Sequence, residues 1–255
     1  MMRMTRIALG LALVAASCAG VSLADDWADL TGKFIYDGTP PVPKPVVVDA
    51  DVAEFGKLGL VDESLVVDKK TGGIANIAVY VRTKDVKVHP DLEKNVKKEV
   101  KFDNKGGRFV PRILPVWIEK QTLCLCNSDN VPHNSNIQPF GDAPINPLIP
   151  PKGEIDHTFN AEQMVPVPVS CNIHRWMRGY ILARNNPYAA VTGMDGTFTL
   201  EKLPAGTELE FQVWQEKSGF VEAKPDWKRG RFKMTLKPGK NDLGTIKVKA
   251  SLFDK

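Results

Sequence analysis

A thiol, an imidazole and a thioether follow one another at intervals of three residues in one short stretch of this chain. The groups belong to Cys171, His174 and Met177, and strand-like runs, Val167–Val169 and Tyr180–Ala183, lie on either side of them. We therefore predict that the three donors share one tight loop between two strands, since closing so short a loop costs little chain entropy. Cysteine, histidine and a weak, distant methionine are three of the four ligands of a blue-copper site.

The donor that such a site still lacks is a second histidine, and His133 is the natural candidate. Copper alternates between Cu(I), which favours soft sulfur ligands, and Cu(II), which favours imidazole. Two histidines, one cysteine and one distant methionine serve both states moderately well, so little has to move when an electron passes through a stiff site. The donor set therefore predicts a metal centre suited to one-electron chemistry.

The two stretches resemble the cupredoxins of the amicyanin and plastocyanin group, and the spacing Cys-x-x-His-x-x-Met is of the amicyanin type. The upstream half of the resemblance reads Phe109-x-Pro111, followed by Asn127-x-Asp129-x-x-x-His133-Asn134. The matching motifs run from about Phe109 to Tyr188, roughly a third of the chain.

The resemblance implies an all-β, Greek-key β-sandwich that holds one type 1 copper ion. The implied copper ligands are His133, Cys171, His174 and Met177. Asn134 and Asn172 are implied to brace the ligand loop without touching the metal. In this family the ring edge of the second histidine, here His174, lies near the surface and passes the electron to a docked redox protein. An apolar docking patch is expected around it, formed by Ile173, Val131 and Trp176, although a place in the core is an equally good expectation for the tryptophan.

Two other interpretations of the donors stay open. A lone buried cysteine is usually a small apolar residue, and a lone histidine or methionine lies more often in the core or on the surface than on a metal. Zinc is the alternative ion, but structural zinc sites favour C-x2–4-C or H-x3–5-H pairs, which the chain lacks. The presence of four donors in the family order favours copper over both.

The first 24 residues have the organisation of a secretory signal peptide. Two arginines precede an apolar segment at 7–16, and Ser22–Ala24 forms a small-x-small cleavage site. Processing as a lipoprotein at Cys18 is the weaker alternative, because Ala15 stands where such signals prefer Leu or Val. Since no later run is long enough to span a bilayer, we predict a periplasmic or otherwise exported protein whose mature chain has no transmembrane segment.

Three cysteines remain after the predicted cleavage, and two of them, Cys124 and Cys126, lie in a strand-like run. Residues i and i+2 of a strand face the same side of a sheet. A disulfide between them would strain an extended strand, so we predict two buried thiols that fill core space. A second soft-metal site and a cross-link to a partner are alternatives left open.

The chain changes character after about residue 186. The phrase Asp-Gly-x-Phe-x-Leu-x-x-Leu-Pro-Ala-Gly at 195–206 resembles the carboxypeptidase-regulatory, transthyretin-like β-sandwich module, which is generally non-catalytic. Its Asp-Gly pair predicts a hairpin over 190–200. Gln215 stands where related sequences tend to have histidine after the tryptophan, so any role of that histidine is lost.

The predicted organisation has three parts. They are a signal peptide over 1–24, a cupredoxin-like domain with an N-terminal β extension over 25–186, and the regulatory-like β-sandwich over 187–255. The composition, 43% hydrophobic and 25% charged, is ordinary for a globular protein. Removing 1–24 lowers the net charge from +4 to +2, because it removes two arginines and no acidic residue. So mild a charge does not predict nucleic-acid binding.

Three functions fit these observations. The first is one-electron transfer between redox proteins such as a c-type cytochrome or a dehydrogenase. The second is copper handling, meaning storage or delivery without a redox role, and the third and weaker one is a structural module with an incidental copper site. Catalysis is disfavoured, because the chain has four histidines and copper oxidases or nitrite reductases need more imidazoles beyond a type 1 site.

Overall fold

A computed structural model describes residues 27–254 of the chain. The signal peptide predicted over 1–24 lies outside the described residues. No helix in the described part has the length and apolar character that crossing a bilayer would require. Strands and loops make up nearly all of it, which confirms the predicted all-β class.

Within residues 27–254 the chain forms eighteen strands and two short α-helices. The strands are β1 (Trp27–Asp37), β2 (Ile77–Val81), β3 (Glu99–Asn104), β4 (Phe109–Val110), β5 (Ile113–Trp117), β6 (Thr122–Asn127), β7 (His133–Asn134), β8 (Asn136–Ile137), β9 (Leu148–Ile149), β10 (Glu154–His157), β11 (Val167–Ser170), β12 (Arg178–Arg184), β13 (Ala189–Val191), β14 (Thr197–Pro204), β15 (Glu208–Gln215), β16 (Gly219–Phe220), β17 (Arg231–Thr235) and β18 (Gly239–Lys249). The helices are α1 (Val52–Phe55) and α2 (Pro90–Lys94), and 3-10 turns lie at Lys228–Gly230 and Ala250–Phe253.

The middle of the chain forms a β-sandwich of two four-stranded sheets. One has the strand order β10-β6-β3-β4 and the other the order β5-β12-β11-β8. Their facing sides share one apolar core, to which the first sheet contributes Phe102, Leu123 and Leu125 and the second Val169 and Ile181. β3 pairs with β6 in parallel, and so does β5 with β12. The chain crosses from the first sheet to the second between β4 and β5, and returns to the first between β5 and β6.

The N-terminal strands join the sheets of the C-terminal part of the chain. β1 lies between β14 and β18, antiparallel to the first and parallel to the second. β2 pairs with β13 and β15, and β15 also pairs with β16 and β17. The sequence predicts that these N-terminal strands belong to the cupredoxin-like domain, whereas the strand pairing connects them to residues beyond 187. The division of the chain into domains itself stays a prediction.

The Asp-Gly turn that predicts a hairpin instead connects strands of two different sheets. β13, before the turn, pairs with β2, and β14, after it, pairs with β1. Gly196 has a φ of +82°, and a Cβ atom there would lie 2.1 Å from the carbonyl oxygen of Phe34. This turn therefore needs glycine because another strand approaches it closely.

Buried contacts hold the sandwich against the other sheets. A small apolar cluster contains Tyr80 from β2, Leu182 from β12 and Trp214 from β15. The buried Arg184 donates hydrogen bonds to the carbonyl oxygens of Gln163 and Val81, both at 2.8 Å. This packing brings the segment between β1 and β2 to the end of the sandwich where the predicted donors lie.

Candidate metal centre

The ligand loop, residues 171–177, connects two paired strands at one end of the sandwich. β11 and β12 are antiparallel, and Ser170 pairs with Arg178, so the loop leaves and re-enters the same ladder. Within the loop, the backbone N–H of His174 approaches Cys171 Sγ at 3.4 Å, and that of Met177 donates to the His174 carbonyl oxygen at 2.9 Å. The predicted strand–loop–strand arrangement is confirmed.

His133 reaches this loop from the long segment between β6 and β10. It lies on β7, which pairs with β9. Its Nδ1 atom is 3.9 Å from Cys171 Sγ, and the Nδ1 atom of His174 is 3.8 Å from the same sulfur. The two Nδ1 atoms are 3.0 Å apart. Donors from two distant parts of the chain therefore converge, and together they can hold a metal ion.

The spacing of the three donors suits a single ion. In zinc sites the metal lies about 2.0–2.1 Å from an imidazole nitrogen and about 2.3 Å from sulfur, so donors of one ion are at most about 4.4 Å apart. The separations here, 3.0 to 3.9 Å, fall below that limit. His133, Cys171 and His174 are 0%, 3% and 0% exposed, so the ion would be shielded from water.

Carboxylates determine which imidazole nitrogens face the space between the three donors. His133 Nε2 lies 3.0 Å from Asp129 Oδ2, and His174 Nε2 lies 2.8 Å from Asp51 Oδ2. Because a carboxylate only accepts hydrogen bonds, each Nε2 atom carries the proton. In the neutral rings both Nδ1 atoms then have a free lone pair, and both lie beside the Cys171 sulfur. A metal ion between the donors could accept both lone pairs.

Asp129 is itself held by the turn at Gly106 and Gly107. Its two carboxylate oxygens accept the backbone N–H groups of these glycines at 2.5 and 3.0 Å. Burial acts to raise the pKa of this carboxyl, but the hydrogen bonds from His133 and the two glycines lower it overall. Burial acts to lower the pKa of His133, whereas its contacts with Asp129 and Cys171 raise it overall.

Cys171 is prepared for metal binding by its surroundings. Burial acts to raise the pKa of this thiol, but contacts with His133, His174 and backbone groups lower it to about 5. The side chain is therefore a thiolate at neutral pH, and the thiolate is the form that binds metals.

Asn134 joins the β7 segment to the ligand loop. Its Oδ1 atom accepts the backbone N–H of Asn172 at 2.8 Å and lies 3.4 Å from Cys171 Sγ. Asn172 takes part through its backbone, while its exposed side chain faces Asn136 at 3.5 Å. Asn134 contacts the loop and Asn172 belongs to it, and their influence on a bound metal stays a prediction.

Met177 closes the ligand loop in the core of the sandwich. Its side chain is 1% exposed and belongs to the same apolar cluster as Cys171. Burial of the thioether next to the loop agrees with the expected position of a distant ligand. Its role as the fourth ligand stays a prediction.

The expectation that His174 has a ring edge near the surface is wrong. Residues 44–62, which we call the cap, cover it, and the Phe55 ring of α1 lies edge-on with its centroid 5.0 Å away. On the loop side Trp176 packs at 5.2 Å and donates its Nε1–H to the Gly107 carbonyl oxygen at 3.0 Å. The three residues of the expected docking patch are each half-buried: Val131, Ile173 and Trp176.

Sequence reasoning missed three residues of this centre. Asp129 lies within the upstream motif, and its position four residues before His133 is a signal that could have found it. Neither Asp51 nor Phe55 belongs to the motifs that predict the metal centre. Since Asp51 lies 123 positions before His174, no local pattern connects them.

The prediction of two buried thiols at Cys124 and Cys126 is wrong, because the structure joins them in a disulfide. Both lie on β6 and are almost fully buried. Cys124 Sγ is 3.6 Å from a carboxylate oxygen of Glu154 on the neighbouring β10. Their Cα atoms are 5.7 Å apart, a separation that a disulfide can span.

The other two histidines lie away from the centre. His89 Nδ1 accepts the backbone N–H of Asp91 at 3.0 Å and so caps α2. His157 packs edge-on against Phe159, and burial lowers its pKa. Neither contributes to the clusters of potential metal ligands found in the described residues.

Comparisons with known proteins find solved structures that are similar to part of this chain. No family model matches the chain, and no curated protein matches it. Two solved amicyanin variants, one reduced and one in the Cu(I) state, are 17% and 16% identical with TM-scores of 0.31, and each match covers 42% of this chain and 98% of that chain. A copper-containing nitrite reductase from Thermus scotoductus SA-01 is 21% identical with a TM-score of 0.30, over 33% of this chain and 22% of that chain. The function proposed below therefore rests on the residues of the site.

Proposed function

We propose that this chain is an exported type 1 copper protein that carries single electrons between redox partners. The observation that carries the proposal is the convergence of two imidazole Nδ1 atoms and a thiolate, with each opposite ring nitrogen hydrogen-bonded to a carboxylate. Bound copper would supply the one-electron Cu(II)/Cu(I) couple. His133, Cys171 and His174 would hold it, and Met177 would be the weak fourth ligand.

The chemistry of the donors favours copper over zinc. One soft thiolate, two imidazoles and a buried thioether form the mixed set that copper accepts in both oxidation states. Zinc prefers four strong ligands when its role is structural, and Met177 is not one of them. The single thiolate with two histidines therefore fits one copper ion best.

The burial of the donors favours electron transfer over delivery of copper. His133 and His174 are each held between a carboxylate and the thiolate. The two imidazole rings would therefore keep the same positions around an oxidised and a reduced ion. A protein that hands copper to another needs ligands that the recipient can reach, and here the cap covers them. We propose that the electron reaches the surface through the hydrogen bond from His174 to Asp51, whose side chain is 39% exposed.

Export and the proposed partners rest on further features of the chain. The residues at 1–24 have the organisation of a signal peptide, and disulfides such as Cys124–Cys126 persist in oxidising compartments. A c-type cytochrome or a dehydrogenase in the same compartment would donate or accept the electron. We propose no catalytic role, since His89 and His157 lie away from the centre.

Copper handling is the second candidate, and one observation favours it. Cys124, Cys126 and Glu154 offer three potential ligand atoms within 4.8 Å of one another. After reduction of the disulfide these groups would form a second soft-metal site, which a simple electron carrier would not need.

The optical spectrum tests the proposal. Adding Cu(II) to the purified chain should give an intense blue absorption from the bond between copper and the Cys171 thiolate, at one copper per chain. Cys171→Ser should abolish the colour, while the matched double variant Cys124→Ser/Cys126→Ser should keep it. A colourless wild-type chain that binds only Cu(I), or two copper ions per chain under reducing conditions, would favour copper handling instead.

A further inference from the structure

The cap closes on itself before it reaches the metal centre. The N–H of Asp62 donates to the Lys44 carbonyl oxygen at 2.8 Å, and that of Val46 donates to the Leu60 oxygen at 3.1 Å. These bonds join the two ends of the cap. The residues between them, including α1, therefore form a closed loop that faces the ligand loop.

Side-chain contacts attach the cap to the sandwich. Phe55 is 1% exposed and packs against the His174 ring. It also lies against Gly107, where a Cβ atom would come within 3.1 Å of the Phe55 ring. At the other side of α1, the Asn130 side chain donates to the Glu54 carboxylate at 3.1 Å. The cap is thus packed in a defined position over the donors.

The backbone of the cap places Asp51 against His174. Asp51 has φ and ψ of 45°, a left-handed conformation that Asp and Asn adopt more readily than most residues. Its carbonyl oxygen accepts the N–H groups of Glu54 and Phe55 at 2.9 and 3.1 Å, so this conformation belongs to the start of α1. As a result its carboxylate lies 2.8 Å from His174 Nε2.

We propose that Asp51 is a positioning residue for the metal centre, acting through His174. This inference rests on the proposed copper site. By accepting the hydrogen bond from Nε2, the carboxylate leaves Nδ1 free for the metal, as Asp129 does for His133. Carboxylates behind metal-bound histidines fix the tautomer and orientation of the ring and raise its basicity. The segment upstream of the sandwich therefore supplies part of the metal centre.

The same carboxylate sets the balance between the two oxidation states. Its negative charge stabilises Cu(II) more than Cu(I), because the attraction grows with the charge of the ion. Asp51 therefore lowers the reduction potential, and removing its charge raises it.

The test compares three variants of the full chain loaded with copper. Asp51→Asn keeps a hydrogen-bond acceptor and tolerates the left-handed backbone but loses the charge. Asp51→Gly removes the side chain without straining the backbone. Asp49→Asn is the matched control, since it removes the same charge from an exposed cap residue two positions away. The measurements are the reduction potential at low ionic strength and, by NMR on the Cu(I) form, the solvent-exchange rate of the His174 Nε2–H proton.

The expected result is an increase of about tenfold in the preference for Cu(I) in both Asp51 variants, which is about 59 mV for a one-electron couple. Asp49→Asn should shift the potential less. Proton exchange should accelerate in Asp51→Gly and stay slow in Asp51→Asn. A potential that moves no more in Asp51→Asn than in Asp49→Asn, or an unchanged exchange rate in Asp51→Gly, would overturn the role of Asp51. A wild-type chain without blue colour would instead count against the proposed function.

Discussion

At the scale of single residues, the neighbours of each donor side chain determine its orientation and its protonation. Asp129 and Asp51 each accept a hydrogen bond from one histidine, and this directs both Nδ1 atoms to the Cys171 sulfur. Contacts with the histidines and with backbone groups lower the thiol pKa to about 5 despite its burial. A metal centre with this donor set is therefore prepared by the fold before an ion binds.

Met177→Gln tests the fourth ligand. An amide oxygen binds Cu(II) better than a thioether does, so the variant should keep copper and its colour while the reduction potential falls. Voltammetry of the blue protein measures the shift, and Met164→Gln, which changes a half-exposed methionine elsewhere, is the control. An unchanged potential would remove Met177 from the ligand set.

At the scale of elements, the metal centre is assembled by three segments that differ in kind. A tight loop between paired strands supplies Cys171 and His174, and a short strand in a long connection supplies His133. The cap then covers the donors with α1. Only the tight loop is a local structure, since the other two segments reach the site through tertiary packing.

Phe55→Ala tests whether packing holds the cap in place. Removing a buried aromatic side chain costs about 3–5 kcal/mol where the surroundings cannot collapse into the cavity. We expect a loss of this order in the free energy of unfolding, measured in denaturant, and faster hydrogen exchange in residues 44–62. Leu58→Ala, which truncates an exposed residue of the same cap, should have little effect. Equal stability of the two variants would show that the cap is not packed as described.

The disulfide of β6 is tested by mass spectrometry and metal analysis. The intact chain should gain two hydrogens on reduction, because Cys124 and Cys126 are bonded to each other. In the double serine variant the copper content after loading should remain one per chain, since neither sulfur belongs to the proposed type 1 centre. A drop in copper content would assign these cysteines a metal-binding role.

At the scale of the whole molecule, the two ends of the chain fold together. β1 is the central strand between β14 and β18, and β2 lies between β13 and β15. The apolar core of this part includes Leu30 and Ile77 from the N-terminal strands and Phe211 from β15. The sandwich that carries the metal centre is thus inserted between strands that pair with each other.

This pairing predicts that residues 187–255 do not fold alone. Without β1 and β2, the three-stranded sheet loses its central strand and β13 loses its partner, so a large part of the apolar core is exposed. The isolated fragment should give a poorly dispersed NMR spectrum, and adding a fragment of residues 27–98 should restore dispersion. A well-dispersed spectrum of 187–255 by itself would support the domain boundary predicted from the sequence.

Whether a feature of the fold or of the site could be predicted from the sequence depended on how far apart along the chain the interacting residues lie. The loop that runs from Cys171 to Met177 and the all-β class could be predicted, because residue types and spacing within a few positions determine them. His133 was found through its neighbours in the upstream motif. The pairing of β1 with β18 and the contact between Asp51 and His174 could not be predicted, because they join residues that are far apart in the chain and share no local pattern.

The sequence alone therefore determined the chemistry available to this protein: which atoms can bind a metal and which short loop presents them. Only the tertiary structure decided that both imidazoles have carboxylate partners, that the second histidine is covered and that the chain ends share a sheet. The physical reason is that hydrogen bonds and burial depend on distances in space. Those distances are set by the packing of whole sheets and not by the order of residues along the chain.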